Sequence, residues 1–218
     1  MPESRHTLTT TIAKSVQLPY LLYTPANYDA DPDATFPLIL FLHGSGERGS
    51  DLDLVRNIGL AKKLQTWADC PFVVVSPQCP ADSIWALQLD ALDALLNHVI
   101  QHYRIDTHRV YVTGLSLGGT GTWYMTMAYP TRFAAVAPIC GRGTSLSAVE
   151  NLAQTPIWCF HGAQDDVVPL SESQRMVEGL KKVGADVRLT IYPDANHDSW
   201  TAAYAEPDLY TWLLQHRR

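Results

Sequence analysis

The stretch Val110-Tyr111-Val112-Thr113-Gly114-Leu115-Ser116-Leu117-Gly118-Gly119 decides the fold. Its start, Val110 to Val112, has strand character, and Leu117 to Ala128 reads as a helix. Between them lies G-x-S-x-G, a pattern that turns sharply and holds its serine at the carboxyl edge of a sheet. Gly114 and Gly118 are required because a side chain at either would collide with neighbouring backbone in so tight a turn. The pattern alone recurs by chance in many chains. In a strand–turn–helix setting it marks a nucleophile, and Ser116 is the candidate. The competing reading is an ordinary glycine-rich β–α turn.

Outward from this turn, strand-length apolar runs alternate with segments of helical period. Leu38 to Leu42 and Phe72 to Val75 are unbroken apolar runs, as expected of strands covered on both faces. Phe133 to Ile139, Ile157 to Phe160 and Val187 to Tyr192 read as further strands. Thr7 to Ile12 and Val16 to Tyr23 are expected to form two more at the start. One long helix is expected over Asp51 to Trp67. Another over Leu87 to Tyr103 puts Leu89, Leu92, Leu95, Leu96, Val99 and Tyr103 on one face. Glu172 to Val183 and a last segment through Leu209, Trp212 and Leu213 complete the helices. Such alternation predicts an α/β fold, a mostly parallel sheet with helices on both faces, as one domain over residues 1–218.

The formal net charge of -6 gives no reason to expect nucleic acid or an anionic membrane as partner. No apolar run approaches the ~20 residues of a membrane span, and none follows the polar N-terminus as a signal peptide would require. Cys70 and Cys79 flank the Phe72–Val75 strand, and along an extended chain at ~3.3 Å per residue the two cysteines lie ~30 Å apart, far beyond the ~7 Å limit for a disulfide. Cys140 and Cys159 fall in other apolar runs. Reduced thiols in a cytoplasmic protein are expected, or a secreted protein whose leader has been removed. No CxxC pair occurs, so no metal is expected.

A serine nucleophile needs a base and an orienting acid, which in this kind of fold follow it in the order acid, then histidine. His161-Gly162-Ala163-Gln164-Asp165-Asp166 comes directly after a strand, and both Asp165 and Asp166 are candidates for the acid. Asp194-Ala195-Asn196-His197 follows the next strand, and His197 is the base. His98, His102 and His108 lie on or near a helix, His6 and His216 are terminal, and His43 and His161 precede glycines in turns. Upstream, His43-Gly44-Ser45-Gly46-Glu47-Arg48-Gly49 follows the strand Leu38 to Leu42. A glycine-rich loop there aims a backbone N–H at an oxyanion, together with the residue after the nucleophile. Ser45 and Leu117 are the expected donors. A phosphate loop is the rival, but no Gly-Lys-Ser/Thr ending is present. Glu47 and Arg48 read equally as a local ion pair or as two solvated charges.

Pro37 to Gly49, Val75-Ser76-Pro77-Gln78-Cys79-Pro80, Gly114 to Gly119, His161 to Pro169 and His197 together resemble the small α/β-hydrolase esterases related to feruloyl esterases, polyhydroxybutyrate depolymerases and phospholipase/carboxylesterases, some of them labelled predicted peptidases. The resemblance implies the α/β-hydrolase fold, a Ser116–Asp165–His197 triad, hydrolysis through an acyl-enzyme, and no metal or organic cofactor. It favours Asp165 over Asp166 because the acid stands four residues after the histidine of the His-Gly turn. Residues 140–156 are too few for the large lid that related hydrolases insert, so an open site for short acyl groups or polymer-attached esters is expected. Trp85 and Trp200 are candidate site walls, with core packing the alternative for both. A peptidase or thioesterase would use the same triad; a non-catalytic binding protein is disfavoured because all three residues are present.

Overall fold

The computed structural model describes residues 3–11, 13–144 and 149–218. Among these, one sheet holds β1 (Tyr20–Tyr23), β2 (Phe36–Leu42), β3 (Val73–Pro77), β4 (Ile105–Leu115), β5 (Ala135–Ile139), β6 (Ile157–Gly162) and β7 (Val187–Tyr192). Its order is β1-β3-β2-β4-β5-β6-β7. β1 runs antiparallel to β3, with Tyr20 opposite Pro77, and the other neighbours pair in parallel. The helices are α1 (Leu52–Arg56), α2 (Gly59–Leu64), α3 (Leu89–His102), α4 (Leu117–Ala128), α5 (Val149–Leu152), α6 (Ser171–Lys182), α7 (Trp200–Ala205) and α8 (Pro207–Gln215), with 3₁₀ turns at Ser45–Glu47 and Trp85–Leu87. None is long and apolar enough to cross a membrane.

β2 shows why the sheet is covered twice. Side chains alternate along a strand. Leu38, Leu40 and Leu42 therefore enter one core with Leu92, Leu96 and Val99 of α3 and Met176 and Leu180 of α6. Ile39 and Phe41 enter the other, with Leu60 of α2, Tyr204 of α7 and Leu209, Trp212 and Leu213 of α8. All four cysteines are free and buried.

Three sequence expectations need correction. The strand over Val16 to Tyr23 shortens to Tyr20–Tyr23. Pro19 can donate nothing to a ladder, and its carbonyl instead accepts the N–H of Gln78 at 2.7 Å. The strand expected over Thr7 to Ile12 is absent from its described residues, 7–11, which are exposed; Ile12 lies outside the described residues. The long helix over Asp51 to Trp67 is two short ones, broken before Gly59. Gly59 adopts φ +51, and a Cβ there would sit 2.6 Å from Leu115 Cδ2 and 2.9 Å from Phe41 Cζ. The break places Ile58 near the carboxyl edge of the sheet.

That edge is where the chain changes direction. After β2 it adds β3 on one side and then returns to add β4 on the other, so β2 and β4 flank a topological switch point, where open α/β sheets bind ligands. The loop after β2 and the turn after β4 both open there. Gly118 lets them meet: a Cβ at this position would run into the carbonyl of Leu42. Backbone cannot yield as a side chain can, so Gly118→Ala should destabilise the protein by about 1–3 kcal/mol, lowering the melting temperature by roughly 2–4 °C per kcal/mol. An unchanged thermal melt would contradict this close packing.

Candidate active site

Ser116 occupies the turn between β4 and α4 with φ 53 and ψ −114. A left-handed non-glycine residue costs on the order of 1–3 kcal/mol and persists only where its surroundings hold it. Here the Ser116 N–H donates to Ile139 O at 3.0 Å, and its carbonyl accepts the first α4 hydrogen bond, from Thr120 N–H at 3.0 Å. Gly114 supports the same turn, because a Cβ there would meet the backbone of Gly118 and lie 2.7 Å from Leu42 O.

The loops after β6 and β7 bring two further side chains to this serine. His197 Nε2 lies 2.9 Å from Ser116 Oγ, and His197 Nδ1 lies 2.8 Å from Asp165 Oδ2. The other carboxylate oxygen, Oδ1, accepts the N–H groups of Val167 at 2.9 Å and Val168 at 2.8 Å. Burial alone would raise the Asp165 pKa, but the hydrogen bond from His197 and those from Val168 and Val167 outweigh it and hold the carboxyl below its ordinary value. The acceptor-only carboxylate fixes the imidazole hydrogen on Nδ1, leaving the Nε2 lone pair for the serine hydroxyl. Asp166 is exposed, and its side chain takes no part in this series.

His161 does more than turn the chain. Its Nε2 faces two acceptors, Val168 O at 2.8 Å and Asp165 Oδ2 at 3.2 Å, while Nδ1 lies 2.7 Å from Ser173 Oγ. The hydrogen therefore sits on Nε2, and the ring braces the acid loop. The pattern that placed Asp165 four residues after this histidine was its only sequence signal.

Of the two expected oxyanion donors, Ser45 lines the same small cavity as Ser116 and His197. A Cβ on its neighbour Gly44 would stand 3.7 Å from Ser116 Cβ, so this loop lies against the serine. Leu117 is the first residue of α4, where a backbone N–H has no intrahelical acceptor. The loop is held from behind. Cys79 N–H donates to His43 Nε2 at 3.0 Å, which puts the ring hydrogen on Nδ1, 2.6 Å from Gly44 O. Burial lowers the His43 pKa to about 4, so the ring is a neutral strut. Gln78 Nε2 donates to the carbonyls of Glu47 and Asp51, each at 2.8 Å. Neither reading of the Glu47–Arg48 pair holds: Arg48 donates to Ser45 O and Ser83 O, both at 3.1 Å, and Glu47 lines the cavity.

The two tryptophans separate. Trp200 is half-buried in the cavity wall, its ring edge-on to His197 with centroids 5.4 Å apart. Trp85 is not a wall residue. It is fully buried, donates Nε1–H to His43 O at 2.9 Å and packs against Gly121, where a Cβ would come within 2.7 Å of it. Pairing its indole N–H there lets the whole ring be buried. Ile58 and Glu47 are the cavity residues that sequence reasoning missed. As for metal donors, the ligand atoms of Cys140, Asp165 and His197 all lie within 4.8 Å of one another. Burial pushes the Cys140 thiol up to about 12, and the other two are engaged in the hydrogen bonds above. The connection between β5 and β6, where a lid would be inserted, contains α5; its residues 145–148 lie outside the described residues.

The chain is 30% identical over 207 residues to a bifunctional acetylxylan esterase/xylanase of Neocallimastix patriciarum, covering 88% of this chain but only 27% of that protein. It is 25% identical to a poly(3-hydroxyoctanoate) depolymerase of Pseudomonas fluorescens, covering 85% of this chain and 76% of the relative. A solved thermostable esterase superposes with a TM-score of 0.85 at 36% identity, over 93% of this chain and 60% of that one. The chain thus spans well under two thirds of several relatives it matches. The sheet order, its two helical layers and these superpositions make the fold an α/β-hydrolase fold. The sequence profile of the dienelactone hydrolase family matches residues 82–208, more than half of the chain and the part carrying the serine turn and the loops after β6 and β7, and the chain belongs to that family.

Proposed function

We propose that this protein is a serine carboxylic-ester hydrolase acting through an acyl-enzyme. The observation that carries the proposal is the unbroken series Ser116 Oγ, His197 Nε2, His197 Nδ1, Asp165 Oδ2, with links of 2.9 and 2.8 Å. His197 takes the Ser116 proton as the oxygen attacks the ester carbonyl. Asp165 orients the imidazole and stabilises its charged form. The N–H groups of Ser45 and Leu117 receive the oxyanion, a contribution of ~3 kcal/mol each. His197 returns the proton to the leaving alcohol, and water repeats the attack with His197 again as base. A peptidase or thioesterase with the same triad is the second reading. Ester cleavage is favoured because the relatives with named activities above are esterases or a polyester depolymerase.

The cavity at Ser116 measures about 110 Å³. Pockets that bury a large ligand usually enclose about 300–1,000 Å³. Activity should therefore peak on acetyl to butyryl esters and fall by about ten-fold or more for long acyl chains. A pocket that accepted further methylenes would instead gain ~0.8 kcal/mol for each. Specificity constants for p-nitrophenyl acetate, butyrate, octanoate and palmitate below their micellar limits test both reaction and length preference. A maximum at octanoate or beyond contradicts the short-acyl reading; no turnover of any of them, with a peptide amide cleaved, would favour the peptidase.

A further inference from the structure

Ile58 and Trp200 line two openings at once. One is the cavity of about 110 Å³ at Ser116, and the other is an adjoining cleft of about 290 Å³ between α2 and α7. Among the described residues these two are the ones that the cavity and the cleft share. Their side chains therefore form the partition between the two spaces. The triad chemistry gives that partition no task.

The partition is anchored on both sides. Ile58 directly precedes α2, and its carbonyl accepts the N–H of Lys62 at 3.1 Å. Trp200 opens α7, where Asp198 accepts the N–H and the hydroxyl of Thr201 at 3.0 and 2.9 Å. Both side chains are half-buried and root in the core that holds Phe41, Leu115 and Tyr204. Side chains packed into a dense core make a wall and not a flap. On its far side Gly59 and Tyr204 offer carbon surface, while Asn57, Lys62 and Thr201 are exposed polar members of the cleft. Together the two spaces reach the range of about 300–1,000 Å³ usual for pockets that bury a large ligand. The cavity at Ser116 alone does not. What ends it is the wall, since there is space beyond.

Resting on the short-acyl esterase reading above, we propose that Trp200 and Ile58 are specificity-determining residues, a wall that stops the acyl chain at the end of the cavity and shuts it off from the cleft between α2 and α7. The cleft is then a latent subsite for medium-length aliphatic acyl chains, opened by shortening either side chain.

Specificity constants for p-nitrophenyl acetate, butyrate and octanoate test this in the wild-type protein, Trp200→Ala and Ile58→Ala. Ethyl, butyl and octyl acetate, which lengthen the alcohol instead, form a second series. The readout is the octanoate-to-butyrate ratio of kcat/KM within each protein, so a general loss of activity cancels. Such a loss is expected of Trp200→Ala, which also removes the ring beside His197, centroids 5.4 Å apart. Ile58→Ala leaves that contact in place. Each methylene fully buried multiplies kcat/KM by about four-fold, so four of them set a ceiling on the order of two-hundred-fold. The ratio should rise by about ten-fold or more in Trp200→Ala and about three-fold or more in Ile58→Ala, with the alcohol series unmoved. Thermal melts report folding, and Trp200→Leu, which gives up less packing, replaces an alanine variant that unfolds. Ratios unchanged in every folded variant overturn the proposal alone, as does a gain confined to the alcohol series. A wild-type protein already fastest on octanoate would overturn the short-acyl reading and this wall together. No turnover of any of the six esters would overturn the esterase reading itself, and the proposal with it.

Discussion

Ser116→Ala should lower ester turnover by roughly four to six orders of magnitude while leaving the fold intact. Among the described residues the hydroxyl is the one group within hydrogen-bond reach of His197 Nε2, at 2.9 Å, so its loss leaves the base with nothing to activate but water. Removing a nucleophile that works as one unit with its base costs about as much as removing the whole unit, near 10⁶ in kcat. The remaining rate, on the order of 10³–10⁴ over water, would come from substrate binding and the oxyanion donors. Folding should be untouched or slightly improved, since alanine tolerates φ 53 no worse than serine and no buried partner is lost beyond His197. Steady-state kinetics with p-nitrophenyl acetate, corrected for the uncatalysed rate, decide it. A loss under ten-fold would mean that another group attacks the ester.

Asp165→Asn should cost about 10⁴ in turnover, and Asp166→Asn much less. The reason is specific to the hydrogens at this site. In the Asp165→Asn variant the new side chain could keep its carbonyl oxygen on the N–H groups of Val167 and Val168. Its amide nitrogen would then face His197 Nδ1, and a donor there forces the imidazole hydrogen onto Nε2. That hydrogen would point at Ser116 Oγ, where an unprotonated nitrogen is needed. The amide would also confront the hydrogen on His161 Nε2, 3.2 Å from Oδ2 in the native protein. Asp166 is exposed and has no such position. Turnover of both variants on one ester, with thermal melts as control, distinguishes them; the reverse pattern would transfer the orienting role to Asp166.

The strands from β2 onward and most of the helices were legible because each carries its own period. A doubly covered strand such as Leu38 to Leu42 has no polar side chain to hide, and α3 repeats leucine on one face. Ser116, Asp165 and His197 were legible for a related reason: each follows a strand, and a parallel sheet collects the carboxyl ends of its strands at one edge. What failed depended on contacts between distant segments. Residues 7–11 are rich in β-branched threonine, yet that composition supplies no neighbouring strand to pair with. The helical period from Asp51 onward continues through Ile58-Gly59, and only the close approach of Leu115 and Phe41 reveals that the helix breaks there. Trp85 stands near the site in sequence terms, but the His43 carbonyl draws its indole N–H inward. Glu47 was readable only as a charge beside Arg48, because Arg48's true acceptors, Ser45 O and Ser83 O, are backbone atoms that no side-chain pattern discloses.

The claim on which the mechanism rests is that Ser116 is the residue that becomes acylated. A fluorophosphonate captures an activated serine hydroxyl and stays attached, so the wild-type protein can be labelled, digested and its peptides weighed. The prediction is one stoichiometric adduct on the peptide containing Gly114 to Gly119, fragmenting to place the mass on Ser116, and its loss in Ser116→Ala. Stoichiometric label on any other residue, or a folded, ester-cleaving protein that takes up none, would contradict it.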